Sequence, residues 1–544
     1  MLKEIEQSRL RVSRATDAKH KSQLGQFLTP ETTARFMAGM FPDVGLREGR
    51  LLDAGAGIGS LSSAFLERCV TGGLVFEKIS LTAYEIDSVL YPELRETLAP
   101  YTQKLGLSYE LKGEDFVEGA VNCIQFGAEQ GFTHAILNPP YKKIASASRY
   151  RLMLKRVGIE TVNLYSAFVA LSILLMARGG QIVAIIPRSF CNGPYYRPFR
   201  ELLLSRCAIR RIHLFESRGI AFKDDGVLQE NVIIHLEVGG YQGDVEITTS
   251  TDDRFHDLVA HSHSFEKIVL PRDREKFIHV PFSDQEVGIE STGIAPCALS
   301  EVGVGISTGP VVDFRLKEYL RAMPEPGTAP LLYPAHFSGL CIEWPKEGIK
   351  KPNAMLRNAE TGKWFYPNGY YCVVRRFSSK EERRRIVACV VNPAEFGGAE
   401  VLGFENHLNV FHEHRHGMSE HLAKGLSMYL NTTMVDENFR QFSGHTQVNA
   451  TDLKLMKYPS RDALISLGRV ADEVGTTQEQ IDAAVLRVCG KWPEFNSLCA
   501  MNLVDEISQS AAGRPSRSGS RSIRSSFHPG RPGPGAGCRP SRPA

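Results

Sequence analysis

The sequence predicts an α/β protein with a doubly wound, mainly parallel sheet, followed by a second domain of mixed α+β structure. Apolar runs alternate with amphipathic helical stretches over about the first 240 residues, and several runs end in an acidic or polar residue. Beyond about residue 245 the pattern changes to short strands between loops. Ligands bind at the carboxyl ends of the strands in such sheets. We therefore expect the functional residues directly after the strands.

The composition is typical of a soluble globular protein. The chain has 544 residues, 42% hydrophobic and 23% charged, which gives room for about two to four domains. It has no apolar run long enough to cross a membrane, and its charged N-terminus lacks a signal-peptide pattern. The eleven cysteines are scattered without a CxxC pair, which predicts reduced thiols and no zinc site. We expect a cytoplasmic protein.

The net charge gives no argument for a nucleic-acid partner. The formal charge is +3, but residues 511–544 carry seven arginines and no acidic residue, which leaves −4 for the other residues. This tail is rich in Arg, Pro, Ser and Gly, a composition typical of disordered segments. Weak attraction to phosphates and an extension without a specific role both stay open for it.

The first strand, turn and helix lie in the stretch RLLDAGAGIGSLSSAFLERC. An apolar strand ends at Asp53, a turn with three glycines follows, and an amphipathic helix begins. Glycines let the backbone approach a ligand, and a helix N-terminus offers unpaired N–H groups. A tight turn without a ligand and a phosphate-binding nicotinamide site are the alternatives. The Asp53 carboxylate would repel a pyrophosphate and attract a cation, so it favours a ligand with a cationic part.

Two further strand ends carry acidic residues. The stretch ISLTAYEID places Glu85 where it can bond ribose hydroxyls, and Asp87 follows. In GEDF, Asp115 can accept a hydrogen bond from the exocyclic amine of a purine ring, and Phe116 can line the face of that ring. Each acidic residue alone is compatible with a solvated surface. Together they predict a pocket for a nucleoside with a positive or zwitterionic arm, and S-adenosylmethionine is such a molecule.

The stretch ILNPPYKKI ends a fourth apolar strand in a turn. An exocyclic amine is a poor nucleophile, because its lone pair is delocalised into the ring. The Asn138 side-chain oxygen and the Pro139 carbonyl can accept both amine hydrogens and favour a tetrahedral nitrogen. Proline restricts the backbone and fixes the direction of that carbonyl, and Tyr141 offers a flat face for stacking. A turn without a catalytic role is the alternative.

At these residues the sequence resembles the amino-methyltransferases, and among them the gamma-class N6-adenine DNA methyltransferases of type II restriction-modification systems. The order of QLGQFLTP, the glycine turn and NPPY is that of the gamma class, and the resemblance spans about residues 20–240. The glycine turn departs mildly, since many relatives have a bulkier or more polar residue there. The resemblance implies a Rossmann-like S-adenosylmethionine-dependent methyltransferase domain and methyl transfer to N6 of adenine in duplex DNA by base flipping.

The resemblance also assigns residues to roles. The predicted cofactor-binding residues are Phe27, Thr29, Pro30, Asp53, Gly55, Gly57, Gly59, Glu85, Asp87, Asp115 and Phe116. The predicted catalytic residues, which meet the target base, are Asn138, Pro139, Pro140 and Tyr141.

The basic and aromatic residues after the catalytic half are the expected DNA contacts. One group lies in IIPRSFCNGPYYRPFRELLL, for which a solvated loop and an ordinary helix are the alternative. Another lies in a late segment, VDENFRQFSGHTQVNATDL, which is similar to part of a target-recognition domain and either reads base edges or only holds a loop together. The predicted nucleic-acid contacts are Arg188, Tyr195, Tyr196, Arg197, Phe222, Arg375, Arg376, Arg440, Ser443, His445, Gln447 and Asn449.

The predicted organisation has five segments. They are a polar leader at 1–20, a methyltransferase domain at 21–245, a linker or irregular extension at 246–285, a DNA target-recognition domain at 286–510, and the disordered tail at 511–544. The resemblance implies double-stranded DNA as the substrate, a separate restriction endonuclease as the functional partner, and a monomeric chain. We expect no membrane partner and no metal, because the spacing in HEHRH suits a strand or turn better than metal ligands.

Two other function classes stay open. A methyltransferase that acts on RNA or on a protein glutamine faces a similarly delocalised nitrogen, and similar enzymes also carry NPPY. The glutamine enzymes are short, however, which argues against that class here. A non-catalytic nucleic-acid-binding relative is the second alternative, and the intact Asp53, Asn138 and Tyr141 argue against it.

Overall fold

The computed structural model describes most of the first 490 residues. The described ranges are 2–15, 28–127, 131–215, 230–271, 273–281, 293–378, 382–443, 447–474 and 477–490. The predicted site residues Phe27, Phe222 and His445, and the predicted disordered tail, lie outside these ranges. Within them, no helix has the length and apolar character needed to span a bilayer.

A nine-stranded sheet forms the first part of the chain. Its spatial order is β3-β2-β1-β4-β5-β7-β6-β8-β9. Strands β1 to β5 pair in parallel, and β7 runs antiparallel between β5 and β6. The carboxyl ends of the parallel strands therefore lie along one edge. The strands are β1 (Glu48–Ala54), β2 (Lys78–Tyr84), β3 (Ser108–Lys112), β4 (Phe132–Leu137), β5 (Met176–Pro187), β6 (Cys207–Phe215), β7 (Asn231–Val238), β8 (Val245–Ser250) and β9 (Val259–His263).

Two hydrophobic cores flank this sheet. Leu52 and Leu137 belong to the core that contains α5 and α7, whereas their neighbours Leu51 and Ile136 belong to the core that contains α2, α3 and α4. Adjacent strand residues thus face opposite cores, as the alternation of side chains along a strand requires. The helices are α1 (Leu2–Ala15), α2 (Glu31–Gly39), α3 (Ser60–Val70), α4 (Tyr91–Leu105), α5 (Phe116–Gln125), α6 (Arg149–Arg156), α7 (Leu164–Leu175), α8 (Arg197–Arg206) and α9 (Phe265–Ile268).

The first sheet continues past residue 245, where the sequence analysis ended the first domain. Strand β8 pairs in parallel with β6, and β9 pairs antiparallel with β8. Val245 and Ile247 are buried in the same core as α5 and α7. The sequence VEITTS carries too few apolar residues to be recognised as a strand, although two of them are enough to join the core.

In the described residues of the C-terminal part there are three smaller sheets and five helices. The sheet orders are β10-β22, β11-β21-β18-β19-β15-β14 and β12-β16-β13-β20-β17. The strands are β10 (Cys297–Ala298), β11 (Gly305–Thr308), β12 (Leu320–Arg321), β13 (Thr328–Leu332), β14 (Phe337–Ser338), β15 (Cys341–Ile342), β16 (Ala354–Leu356), β17 (Phe365–Pro367), β18 (Tyr371–Arg375), β19 (Ala388–Val391), β20 (Val401–Phe404), β21 (Leu408–His412) and β22 (Lys457–Tyr458). The helices are α10 (Glu420–Leu430), α11 (Thr433–Phe442), α12 (Ala450–Leu455), α13 (Arg461–Arg469) and α14 (Gln478–Cys489).

Helices α10 and α13 pack with their backbones in direct contact. A Cβ atom at Gly425 would lie 1.9 Å from the carbonyl oxygen of Leu464, and one at Gly468 would lie 1.7 Å from that of His421. No side chain fits at either distance, so this crossing requires glycine on both helices.

Candidate functional site

A pocket of about 340 Å³ lies at the carboxyl edge of the parallel strands. Its size falls in the range of small-molecule sites, about 300 to 1,000 Å³. The strands bring together residues that are far apart in the sequence, as predicted from the parallel arrangement. The predicted site residues that line the pocket are Thr29, Gly55, Gly57, Glu85, Asp115, Phe116, Asn138 and Pro140.

The glycine turn forms one wall of the pocket and is held by Glu85. Gly57 has a left-handed φ of 57°, and a Cβ atom there would lie 2.9 Å from Leu28 Cδ2. The Gly57 N–H donates to Glu85 Oε2 over 2.7 Å, and the Asp87 N–H donates to Glu85 Oε1 over 2.8 Å. Burial raises the pKa of Glu85, and these two donors oppose that shift. Glu85 therefore shapes the turn, and its predicted contact with a ribose stays a prediction.

Asp53 lies behind the turn and outside the residues that line the pocket. It is fully buried, and Ser62 Oγ donates to its Oδ2 over 2.6 Å. Among the residues that the structure describes, none forms a hydrogen bond with its Oδ1. Burial raises the pKa of Asp53 to about 7, because the charged form is poorly solvated there, and the Ser62 bond only partly offsets this. A buried carboxyl with an unused oxygen fits a role in ligand binding, but the predicted contact with a cationic arm stays a prediction.

Asp115 directly precedes α5 and lines the pocket. Its Oδ1 accepts from the Glu118 N–H over 3.1 Å and caps the helix. Its Oδ2 accepts from the Tyr150 hydroxyl over 2.6 Å. The ring of Phe116 packs against Phe168 at a centroid distance of 4.8 Å. This side of the pocket thus combines a fixed carboxylate with an aromatic surface.

The NPPY turn lies beside the pocket and is fixed by hydrogen bonds. Asn138 Nδ2 donates to Thr29 Oγ1 over 2.9 Å. The Tyr141 hydroxyl lies within hydrogen-bond distance of Asn138 Oδ1, at 3.3 Å, and of the Ile185 carbonyl, at 3.2 Å. Burial raises the pKa of Tyr141, so the hydroxyl stays protonated and acts as the donor. These partners assign the orientation of the Asn138 amide.

Sequence reasoning missed part of the pocket wall. The segment from Lys142 to Tyr150, directly after NPPY, contributes six of the lining residues, and α7 adds Leu164 and Phe168. The residue types in KKIASASRY do not predict a ligand-binding segment, because it lacks both acidic residues and glycine. Only its position after the fourth strand end points toward the pocket.

Pro30, Gly59 and Asp87 support the site from outside the lining residues. Pro30 precedes α2, Gly59 precedes α3 with a φ of 85°, and the Asp87 side chain accepts from the Val89 N–H over 3.1 Å. Pro139 is buried and Tyr141 is half-buried, and neither is among the residues that line the pocket. The predicted direct contacts of these five residues stay predictions.

The structure buries three of the predicted nucleic-acid contacts. Arg188 is 3% exposed and forms an ion pair with Glu230, with Nη1 and Oε1 2.7 Å apart. Tyr196 is 7% exposed and its hydroxyl accepts from Asn163 Nδ2. Ser443 is 1% exposed and its hydroxyl accepts from an arginine inside the C-terminal part. Such groups have exchanged solvent for protein partners and cannot reach a phosphate or base edge in this conformation.

Arg188 also joins the first sheet to the C-terminal part. Its Nη2 donates to the main-chain carbonyls of Arg440, over 3.0 Å, and Gln441, over 2.6 Å, at the end of α11. These bonds could not be predicted from the residues next to Arg188 in the sequence, where it was expected to contact DNA. Its role in this structure is to hold two parts of the protein together.

The other described candidates for nucleic-acid contact are exposed or half-buried, and their contacts with DNA stay predictions. Tyr195 is 74% exposed. Arg440 pairs with Asp436 over 2.7 Å, and Arg376 Nη2 donates to Gln447 Oε1 over 3.2 Å. The Asp436 carboxylate offsets the charge that Arg440 could offer a phosphate, and Gln447 occupies a donor of Arg376. The full set is Tyr195, Arg197, Arg375, Arg376, Arg440, Gln447 and Asn449.

Comparisons with known proteins show which proteins this chain is similar to. A family model described as Eco57I restriction-modification methylase matches residues 77–221. The type II methyltransferase M.BsuBI of Bacillus subtilis is 54% identical over 475 residues, covering 86% of this chain and 94% of the relative. The type II methyltransferase M.PstI of Providencia stuartii is 40% identical over 479 residues, covering 86% and 93%.

A solved structure shares the fold. The type IIL restriction-modification enzyme MmeI, in complex with DNA, matches with a TM-score of 0.50 at 10% identity, over 94% of this chain and 78% of that chain. At that identity the match speaks for the fold alone, whereas the two relatives are similar over most of their length. The family predicted from the motifs is confirmed: the chain belongs to the methyltransferases of type II restriction-modification systems.

Proposed function

We propose that this protein transfers a methyl group from S-adenosylmethionine to N6 of adenine in a specific site of duplex DNA, with the target base flipped out of the helix. The observation that carries the proposal is the Asn138 amide, held beside the pocket by Thr29 and Tyr141. A fixed amide oxygen suits an amine that must be oriented, whereas a base that removes protons would need a titratable group.

The pocket fits the proposed cofactor. When bound, S-adenosylmethionine supplies an electrophilic methyl group on a positively charged sulfur. Phe116 and Phe168 provide apolar surface for its purine, and Asp115 provides an acceptor for the exocyclic amine. Glu85 lines the pocket near the glycine turn, where its carboxylate suits ribose hydroxyls. The left-handed glycines leave the backbone open to close approach.

The NPPY turn orients the target amine. The Asn138 side-chain oxygen and the Pro139 carbonyl accept its two hydrogens and favour a tetrahedral nitrogen, whose lone pair then attacks the methyl carbon. Bound S-adenosylmethionine would supply the methyl group and keep the electrons of its carbon–sulfur bond as a neutral thioether, and the methylated nitrogen would release its extra proton to solvent. The Tyr141 ring offers the face on which the flipped base stacks. Binding energy from the rest of the DNA offsets the cost of unstacking it.

The C-terminal part is the proposed target-recognition region. The proposed enzyme is a monomer, and its proposed functional partner is a separate restriction endonuclease. Three small sheets with half-buried arginines suit contacts along a duplex. Phosphate contacts of this kind position the protein, while polar side chains in the grooves read the bases.

A labelling experiment tests the proposal. The purified protein is incubated with radiolabelled S-adenosylmethionine and, in separate reactions, plasmid DNA, tRNA or a release factor. We expect label on DNA as N6-methyladenine, and no label from an Asn138→Ala variant that still binds the cofactor. Label found only on RNA or on protein would overturn the proposal.

A further inference from the structure

Residues 142–150 run from the NPPY turn into the first two residues of α6 and form one wall of the pocket, to which they contribute six lining residues. Its start is paired with the chain before α7, since the Ile144 N–H donates to the Val162 carbonyl and the Leu164 N–H to the Lys142 carbonyl, both over 2.8 Å. Its end enters α6, where Ser148 caps the helix. The wall is therefore fixed at its base, and its far end reaches across to α5.

Two side chains at the far end contact the first turn of α5. Arg149 forms an ion pair with Glu118, but both side chains are exposed, and such pairs contribute little. The half-buried Tyr150 hydroxyl donates to Asp115 Oδ2 over 2.6 Å. A hydrogen bond to a carboxylate in a partly buried place is stronger than one between neutral groups. Tyr150 is thus the main polar tether between the wall and α5.

This bond fixes the orientation of the Asp115 carboxylate. The Glu118 N–H holds Oδ1, and Tyr150 holds Oδ2, so the carboxylate is bound at both oxygens. Without the Tyr150 hydroxyl, one oxygen would lose its protein donor and the group would gain freedom to rotate. Burial and the bond to Asp115 both raise the pKa of Tyr150, so the hydroxyl remains a donor near neutral pH.

We infer that Tyr150 is a positioning residue that acts through Asp115. By holding that carboxylate, it makes the pocket prefer a cofactor purine with a 6-amino group over one with a 6-oxo group. This inference rests on the proposed function and deepens it. A fixed carboxylate bonds an amine N–H, whereas a 6-oxo purine would bring a carbonyl oxygen against the carboxylate, with no hydrogen between the two acceptors. Sites that bond a polar group in this way reject an analogue that cannot pair.

A role limited to holding the wall in place predicts something different. Loosening the wall would weaken the binding of any purine nucleoside in the pocket, whatever its 6-substituent. The ratio of the affinities for the two purines therefore separates the inference from a purely structural role.

The test is calorimetric binding of S-adenosylhomocysteine and its 6-oxo analogue, S-inosylhomocysteine. We expect the wild-type protein to prefer the 6-amino ligand, and Tyr150→Phe to lose about tenfold of that preference, in line with one hydrogen bond to a charged group. Tyr371→Phe is the matched control. Tyr371 is buried in the six-stranded sheet and its hydroxyl donates to the Pro367 carbonyl over 2.6 Å, and its removal is expected to leave the preference unchanged.

A second variant shows whether Tyr150 acts through Asp115. Asp115→Asn is expected to reduce the preference, and adding Tyr150→Phe to it to cause no further loss, because residues that act as one unit are not additive. Equal weakening of both ligands by Tyr150→Phe, no effect of it, or additive losses in the double variant would overturn the inference. Failure of the wild-type protein to bind either ligand would overturn the proposed function, and the inference with it.

Discussion

The side-chain amide of Asn138 donates a hydrogen bond to Thr29 Oγ1 over 2.9 Å, which joins two segments 109 residues apart. Thr29 is buried and also lines the pocket. Thr29 is a predicted cofactor-binding residue, and its hydroxyl also has a partner in the NPPY turn. The residue is thus placed to affect the catalytic amide directly.

Replacement of Thr29 by valine keeps the shape of the side chain and removes the acceptor. Asn138 Nδ2 would lose this partner, and the amide would be less well oriented. We expect kcat to fall about 5- to 30-fold, the cost of about one to two kcal/mol, with a smaller change in KM for S-adenosylmethionine. Thr29→Ser restores the hydroxyl and is expected to recover most of the rate. A rise in KM at unchanged kcat would assign Thr29 to cofactor binding alone.

Replacement of Asn138 by alanine is expected to remove methyl transfer and leave cofactor binding near normal. Loss of one oriented hydrogen-bonding group at a reacting centre costs about 10²-fold or more in rate. Single-turnover labelling of DNA and calorimetry with S-adenosylhomocysteine measure the two effects separately. Asp53→Ala is the comparison, since it removes the carboxyl behind the glycine turn and is expected to weaken cofactor binding. The opposite pattern would contradict both roles.

The pKa of Asp53 predicts a dependence of stability on pH. In the folded protein this carboxyl keeps its proton up to about pH 7, whereas an exposed aspartate loses it near pH 4. Its contribution to the free energy of unfolding is therefore greatest below pH 4, falls as the pH rises to about 7, and is level above that. The total change is at most about 4 kcal/mol.

Asp53→Asn removes this titration and keeps an acceptor for Ser62. Urea denaturation of the wild-type protein and the variant between about pH 5 and pH 8 measures the difference in unfolding free energy. We expect the variant to gain stability relative to the wild type as the pH rises. A constant difference across this range would show that Asp53 does not titrate near neutral pH.

The buried pair of Arg188 and Glu230 predicts a strong effect on stability. Arg188→Met removes the guanidinium that faces the buried Glu230 carboxylate, which costs about 3 to 5 kcal/mol. Adding Glu230→Gln removes that charge and is expected to recover part of the loss. Chemical denaturation of the two single variants and the double variant measures the coupling. Single variants within about 0.5 kcal/mol of the wild type would place the pair in solvent.

Local patterns identified much of the pocket. The glycine turn, Glu85, Asp115 and Asn138 each follow an apolar strand, and the parallel pairing of β1 to β4 brings those strand ends to one edge. The chemistry of each group was readable from its neighbours in sequence. Their convergence followed from the alternation of strands and helices alone.

Contacts between distant segments could not be read in this way. Tyr150 bonds Asp115 across 35 residues, and Arg188 bonds carbonyls more than 250 residues away. A tyrosine in a basic helix and an arginine after a strand have no local feature that names these partners. Arg188 was predicted as a DNA contact because it lies in a basic, aromatic-rich stretch just beyond a strand end. Its burial depends on Glu230 and the end of α11 beside it.

The glycine crossing of α10 and α13 has a mechanical consequence. Gly425 packs on the Leu464 carbonyl and Gly468 on the His421 carbonyl with no side chain in between, so the backbone of one helix directly resists movement of the other toward it. Asn431, at the end of α10, exchanges hydrogen bonds with the main chain of Ala388 in β19, which carries the same movement into the six-stranded sheet. We therefore expect α10, α13 and β19 to move together.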